Sequence, residues 1–241
     1  MKHDYTILPL GEAGLLVRFG DAISPEVHHA VKALADELDA HPFPGLVETV
    51  ISYTSLAVYY NPFTVKQRGG RSGKSAFRLV SDRLTEEAIP SAGAGETTPP
   101  RVVDIPVCYG GEYGPDIGFV AEHNHLTVDE VIRIHTAPQY LVYMIGFCPG
   151  FPYMGGMDPR IAAPRRQTPR TSIPARSIGI AGCQTGGYPI STPGGWQLIG
   201  RTPLELFRPS DPDPSLLHAG DLVKFHAISE EEYLAERKGQ P

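Results

Sequence analysis

The sequence predicts an α+β protein in two parts: a small N-terminal split-βαβ domain, then a barrel or sandwich of short strands. Three observations carry this. Residues 1–89 alternate between period-2 and period-3.6 apolar patterns in the order β-α-β-β-α, which makes a small sheet with helices on one face. Residues 90–100 show no apolar periodicity and are rich in Pro, Gly, Ala, Ser and Thr, so they read as a linker. Residues 101–228 offer many short strand-like runs with turn signals between them, and 229–241 read as a terminal helix and tail.

Taken in order, Thr6 to Phe19 is extended, broken at Leu10-Gly-Glu-Ala-Gly14, with Leu15–Phe19 a half-buried strand. Ser24-Pro25-Glu26 opens a helix with a capping Ser, a first-turn Pro and an acid at the positive end of the dipole. Val27, Ala30, Val31, Leu34 and Leu38 follow at helical spacing until His41-Pro42 ends the run. Leu46–Ile51 and Leu56–Tyr60 are strands, and Asn61-Pro62 is the stop. Phe77, Val80, Leu84 and Ala88 mark a second amphipathic helix.

Beyond the linker, Arg101–Val107 alternates as a strand and runs into a Gly/Tyr-rich turn, Tyr109–Gly114. Asp116–Leu126 and Val128–Thr136 are helices, the second opened by a capping box of Thr127 and Glu130. Strands are then expected at Tyr140–Ile145, Ser177–Ile180, Trp196–Ile199, Leu204–Phe207 and Leu222–His226, before a capping box at Ser229–Glu232.

Composition narrows the partners. The chain is 41% hydrophobic and 20% charged, values of an ordinary globular protein, and its net charge of -6 disfavours nucleic acid or an acidic membrane. Cys108, Cys148 and Cys183 are odd in number and form no Cys-x-x-Cys pair, so neither a zinc knuckle nor a disulfide framework is indicated. With no charged leader before an apolar run, and no apolar run of membrane-spanning length, a cytoplasmic location is expected.

Two local motifs are weak. Gly69–Ser75 invites a phosphate-loop reading, but the spacing asks for Gly at 68, where the chain has Arg68; a turn ahead of a helix fits better. His123-Asn-His125 places two histidines at i, i+2, which do not share a helical face, so no metal is expected there. His135 stands at the end of a helix, just ahead of the strand that leads to Gly146. It is either a helix C-terminal cap or a functional group.

The informative stretch is Gly146 to Arg201, where glycine, proline, arginine and aromatic residues are interleaved. Phe147, Phe151, Tyr153, Tyr188 and Trp196 would make an apolar wall. Gly150, Gly186, Gly194 and Gly195, with others nearby, would allow positive φ and close approach of main-chain N–H groups to an anion. Arg160, Arg165, Arg166, Arg170 and Arg176 form a local positive patch on an acidic chain. Arg165, Arg166, Arg170 and Arg201 could supply planar forks for carboxylate or phosphate. Gln184 and Thr185 are neutral donors suited to an amide or an oxyanion. A tight barrel whose corners need Gly and Pro is the alternative, with the arginines on its surface. Pro-Arg-Arg beside Gln-Thr-Gly favours an anion-accepting cleft.

At these residues the chain resembles a known family. Gly146-Phe-Cys-Pro-Gly-Phe-Pro-Tyr-Met-Gly-Gly-Met-Asp-Pro-Arg160, Thr168-Pro-Arg170, Gly182-Cys-Gln-Thr-Gly186 and Pro193-Gly-Gly-Trp-Gln-Leu-Ile-Gly-Arg-Thr-Pro203 are similar to the family of 5-oxoprolinase B subunits, also named for allophanate hydrolase subunit 1 and a sporulation kinase inhibitor. Leu10–Val17, Ser55–Val58 and His135–Pro138 extend the likeness over almost the whole chain. Two departures stand out: Arg176 where the family pattern has Gly, and Gly187 where it has a β-branched residue. The Lys66–Ser75 segment is also unlike the family.

The resemblance implies a cyclophilin-like β-barrel behind the N-terminal domain. It implies two partners in a 5-oxoprolinase complex: a C-type subunit of related fold, and a separate A-type subunit. It also implies ATP, with Mg, in a site shared with the partner. The expected reaction is ATP-dependent opening of a lactam, 5-oxoproline to glutamate. Gln184, Thr185 and the Gly194-Gly195 amides would orient the lactam, the arginines would hold phosphate or carboxylate, and His135 would act as acid/base or orienting group. His135, Gln184 and Arg170 are the expected catalytic residues. Gly150, Phe151, Tyr153, Arg165, Arg166, Thr185, Gly186, Tyr188, Gly194, Gly195, Trp196 and Arg201 are expected to bind substrate or phosphate. The alternatives are a kinase-docking inhibitor without chemistry, and an allophanate- or urea-linked hydrolase or carboxyl-transfer subunit.

Overall fold

The structure, a computed structural model, describes residues 4–69, 73–94 and 99–238. It divides into two compact units, Met1–Pro99 and Pro100–Pro241.

In the first unit, strands β1 (Thr6–Pro9) and β2 (Gly14–Arg18) precede helix α1 (Pro25–Ala40), and β3 (Leu46–Ile51) and β4 (Ser55–Tyr60) follow it. The Ser24 hydroxyl accepts the Val27 N–H at 3.2 Å, satisfying one of the orphan donors of the first turn. The sheet order is β1-β2-β4-β3 with every neighbour antiparallel. Strands β2 and β3 therefore run parallel with β4 between them, and α1 is the crossover of a split βαβ unit. Leu15, Val17, Leu56 and Val58 alternate onto one sheet face and pack with Val31, Leu34 and Leu38 of α1 in a single core.

Two expectations in this unit are corrected. Asn61-Pro62 does not merely stop a strand: the Asn61 carboxamide oxygen accepts the N–H groups of Phe63 and Thr64 and opens helix α2 (Pro62–Arg68). The supposed linker is helical as far as Ala94. Helix α3 (Ala76–Arg83) passes through a π-helical turn at Leu84–Ala88 into α4 (Ile89–Ala94). The Ile89 N–H reaches back to the Leu84 carbonyl, one residue beyond the α-helical partner, and this widened turn sits just ahead of Pro90, whose ring would clash with a normal helical carbonyl. Ile89 and Ala92 pack on the core, so tertiary contact overrides a loop-like composition. Of Gly69–Ser75, residues 70–72 lie outside the described residues. Ser75 caps α3 and Lys74 pairs with Asp82 at 2.7 Å.

In the second unit the elements are β5 (Val102–Tyr109), α5 (Ile117–His123), α6 (Val128–Thr136), β6 (Tyr140–Ile145), β7 (Pro152–Gly155), β8 (Arg170–Ile173), β9 (Ser177–Ala181), β10 (Gln184–Gly187), β11 (Thr192–Gly194), β12 (Gln197–Arg201), β13 (Leu222–Ile228) and α7 (Glu230–Lys238). Seven strands close a barrel in the order β10-β7-β6-β13-β5-β12-β9, and β8 with β11 forms a separate two-stranded ribbon. Closure is made by β13 lying parallel to β5 from Leu222↔Val102 to Ile228↔Cys108. The barrel core includes Val107, Val142, Met154, Ile178, Ile180 and Phe225, joined by Val120 of α5 and Ile134 of α6. Lys224 of β13 donates to the Thr136 and Ala137 carbonyls at 2.7 and 2.6 Å, covering the C-terminal end of α6.

Leu204–Phe207 is not a strand. Its pairing is confined to a single bridge from Phe207 to Ser215, the Leu204 N–H turns onto the Thr202 hydroxyl, and Leu206 is buried in the barrel core. Strands β7, β8, β10 and β11 escape sequence patterning because they are only three or four residues long, and all but β8 carry Gly or Pro.

Candidate functional site

The stretch from Gly146 to Arg201 contributes β7 to β12, and its side chains divide between the inside and the outside of the barrel wall. On the outside the expected aromatic wall assembles. Phe151 lies at its centre, with ring centroids 4.9 Å from Tyr153, 5.1 Å from Tyr188 and 5.5 Å from Trp196. Ile173 of the β8–β11 ribbon, Ala181 and Leu198 complete this satellite core. Phe151, Tyr188 and Trp196 are buried, so they support the surface rather than form it. Phe147 is the exposed margin, 62% accessible, and rests edge-on against Phe151 at 5.6 Å with φ +64°. A phenylalanine held at that φ is a strained, outward-facing residue.

The glycines serve this packing more than an anion cradle. Gly150 does take positive φ (78°), but Gly186, Gly194 and Gly195 do not. A Cβ at Gly194 would stand 2.5 Å from the Tyr188 hydroxyl, and one at Gly186 would press Trp196 and Phe151 at 3.0 and 3.1 Å. Bare backbone is needed there so that the rings can close on it. Burial raises the Tyr188 phenol to about 12 and raises Tyr153 as well; in both cases the positive charge of Arg165 opposes the shift.

The positive patch is corrected by the structure, because most of its arginines are already paired. Arg160 holds Asp158 at 2.6 Å, and Arg176 holds Glu205 at 2.7 Å. Arg170 makes a two-pronged contact with the buried carboxylate of Asp116, 2.8 Å on each side, and Arg166 adds a third bond at 3.1 Å. Arg201 sits at the far end of β12 from Gln197, roughly 13 Å along a five-residue strand, with its guanidinium over the Tyr113 ring at 5.5 Å. Arg201 therefore does not join the other arginines. Within the patch, Arg165 alone is exposed with no hydrogen bond or ion pair to another described residue.

Around Arg165 lies an open cleft of about 450 Å³, lined by Phe119, Pro164, Arg165, Arg166, Gln167 and Gln197 among others. Asp116, Phe119 and Gln197 were not anticipated by motif reasoning. The signals for them are faint: an Asp at the head of a helix after Gly114-Pro115, and a Gln directly after Trp196.

Inside the barrel, β10 turns Thr185 toward His135. Its hydroxyl donates to the Gly179 carbonyl at 3.2 Å and so accepts the His135 Nε2–H at 2.9 Å; the His135 Nδ1 in turn accepts the Tyr109 hydroxyl at 2.7 Å. The Tyr140 hydroxyl closes the set on the His135 carbonyl at 2.7 Å, and the imidazole stacks on Phe225 at 4.7 Å. His135 and Thr185 are both fully buried, and burial alone pulls His135 down to about 3. This corrects the expected acid/base role: the imidazole is neutral, saturated and shut away from the cleft. Gln184 and Gly186 alternate to the outer side of the same strand, so Gln184 and Thr185 cannot face one ligand together. Neither is Arg170 a free catalytic group, since both its prongs are spent on Asp116.

The cleft's lining supplies guanidinium and carboxamide donors beside an aromatic edge, and no carboxylate, thiol or imidazole. It can recognise an anion. It cannot by itself move a proton. Among the described residues no three His, Cys, Asp or Glu side chains are grouped as a metal site, and no helix is long and apolar enough to cross a membrane.

Comparison with known proteins is extensive. The family described as carboxyltransferase domain, subdomain C and D, matches residues 5–217. The chain is 51% identical to the 5-oxoprolinase B subunit of Bacillus subtilis (strain 168) over 238 residues, 99% of each chain. The crystal structure of TTHA0988 is matched at a TM-score of 0.75 and 35% identity, over 90% of this chain and 40% of that longer one. Kluyveromyces lactis urea carboxylase, at a TM-score of 0.69 and 18% identity over 96% of this chain and 22% of that one, shares the fold.

Proposed function

The chain belongs to the carboxyltransferase-domain family, subdomains C and D, alongside 5-oxoprolinase B subunits, and on that membership we propose that it is the B subunit of an ATP-dependent 5-oxoprolinase. The observation that carries this is 51% identity with a 5-oxoprolinase B subunit over 99% of both chains. In this reading the chain works in the cytoplasm with a C-type partner of the same enzyme and an A-type one. Division of the site among subunits is supported by the lining of the cleft, which among the described residues offers guanidinium and carboxamide groups but no carboxylate or imidazole. That one relative of this fold is a chain of which the match fills only 40% is in keeping with a module that works joined to further protein.

The chemistry explains why a partner is needed. An unstrained lactam resists water, and transfer of a phosphoryl group to its oxygen makes a better electrophile; that transfer depends on positioning and charge stabilisation. The sequence carries no complete phosphate-loop motif: Gly69–Ser75 has the wrong spacing, with Arg68 where the motif needs glycine. We therefore assign the nucleotide and its Mg to the partner side. This chain binds and orients an anionic group through its arginine-edged cleft, and its aromatic core holds that edge rigid.

The test is co-purification with the A-type and C-type partners, followed by ATP hydrolysis on a panel of lactams and ureas. Stimulation by 5-oxoproline is expected. An assembled complex whose ATP hydrolysis is unmoved by 5-oxoproline, or is stimulated by urea instead, overturns the assignment.

A further inference from the structure

We propose that Arg165 is the anion-recognition residue of the cleft and that Asp116 is the positioning residue that aims it, at a small ligand carrying a carboxylate or phosphate on a compact body. This rests on the proposed function for the identity of the ligand, but on geometry alone for the two residues.

The loop 164–169 is pinned on its inner side at three points. The Gln197 carboxamide donates to the Pro164 carbonyl at 2.8 Å, the Arg166 N–H donates to the Gly195 carbonyl at 2.7 Å, and the Arg166 guanidinium reaches Asp116 at 3.1 Å. Arg170, just past the loop, grips the same carboxylate twice. Asp116 is itself fixed to β12 in both directions: its carboxylate accepts the Leu198 N–H at 2.7 Å, and its own N–H donates to the Leu198 carbonyl at 2.9 Å. The carboxylate is 7% accessible, so these bonds are little diluted by water.

With Arg166 and Arg170 held against Asp116, the residues beside them, Arg165, Gln167 and Thr168, are exposed. Two guanidiniums, those of Arg166 and Arg170, share the one carboxylate of Asp116, so the pairing leaves a positive excess, to which the neighbouring Arg165 adds. The fork of Arg165 is the part of it with no partner among the described residues. Across the cleft Phe119, 45% accessible and stacked on His123, gives a flat apolar edge. A positive fork on one side and an aromatic face on the other fit a small acid with an apolar ring or chain, and 450 Å³ is the scale of small-molecule sites.

The probes are 5-oxoproline and inorganic phosphate, titrated calorimetrically into the full chain, both alone and in complex with its A-type and C-type partners; KM and kcat for 5-oxoproline are measured on the complex. Arg165→Ala should weaken binding of the responsive probe, and raise KM, by about tenfold or more, the scale of one lost charge-assisted contact. The melting temperature should stay put and kcat should stay within about twofold. Arg165→Lys, which keeps the charge but not the fork, should fall between. Asp116→Asn should raise KM with kcat kept, the signature of misaimed recognition rather than of general damage. Which probe responds tells carboxylate from phosphate recognition. Unchanged affinity and KM in Arg165→Ala, or no binding of either probe to the wild-type chain or complex, overturns the inference. If the complex ignores 5-oxoproline while Arg165-dependent phosphate binding persists, the proposed function falls and the site stands.

Discussion

The two faces of strand β10 show opposite uses of polar groups. Inward, Thr185 joins His135, Tyr109 and the Gly179 carbonyl in a closed set in which every donor has an acceptor. Outward, the β10 face belongs to an aromatic wall with Phe147, strained and exposed, at its margin. The charge of Arg165, which has no ion pair among the described residues, is felt by Tyr153 and Tyr188 of that wall. A buried polar set that is saturated holds a fold together; a charge left open on a rigid rim is available to something else. By residue type alone His135 is the more suggestive catalytic candidate. By partner count it is structural, and Arg165 is the group left open to a ligand in the proposed site.

Removing His135 should give the largest effect. In His135→Ala the Tyr109 and Thr185 hydroxyls lose a partner and a cavity opens beside Phe225, which together cost about 4 kcal/mol of unfolding free energy by urea titration. A loss below about 1 kcal/mol would break the comparison.

Acid comes next. His135 in the second unit is lowered to about 3 and His28 in the first to about 4, in both cases chiefly by burial. Each stays neutral when folded and takes a proton near pH 6.5 when unfolded, so stability is full above that value and falls as pH drops toward 4 and then 3. At pH 5 each site should cost about 2 kcal/mol relative to neutral pH. His135→Ala should abolish the second unit's share and leave the first unit's. A flat midpoint between pH 7 and 5 would contradict the burial of both rings.

The smallest effect isolates one backbone angle. Arg176 has φ +69°, an angle that favours glycine, and is held there by Glu205, which Arg237 also pairs. Arg176→Gly and Arg176→Ala lose the same ion pair, but only glycine relieves the angle, so the glycine variant should be the more stable by about 1 kcal/mol. Equal midpoints for the two would show that the angle stores no strain.

Much of the fold was legible in the sequence. The split βαβ unit follows from Ser24-Pro25 and the spacing of Val31, Leu34 and Leu38, and the capping box at Thr127 and Glu130 marked α6 to the residue. What hid was whatever tertiary contact decides. The π turn that lets α4 carry Pro90 depends on packing, as do glycine-rich strands such as β10. At the site, the composition of Gly146–Arg201 marked a stretch that supplies most of the lining of the Arg165 cleft. It could not show that Asp116, far upstream of each, pairs with both Arg166 and Arg170. Charge on a sequence is additive, whereas charge in a fold is paired.

The parallel seam between β5 and β13 bears on how the second unit reaches its native state. The Arg101–Asp221 ion pair beside that seam joins residues 120 positions apart. Until β13 docks, β5 and β6 each present a bare hydrogen-bonding edge, and no local hairpin can cover either. In the first unit the β1–β2 and β3–β4 pairs are local, and the longest-range pairing, β2 with β4, joins Arg18 to Ser55 and Gly14 to Tyr59, far closer in sequence than the β5–β13 seam. Barrel assembly is therefore a high-contact-order step, slow beside the first unit and open meanwhile to edge-to-edge misassociation between molecules.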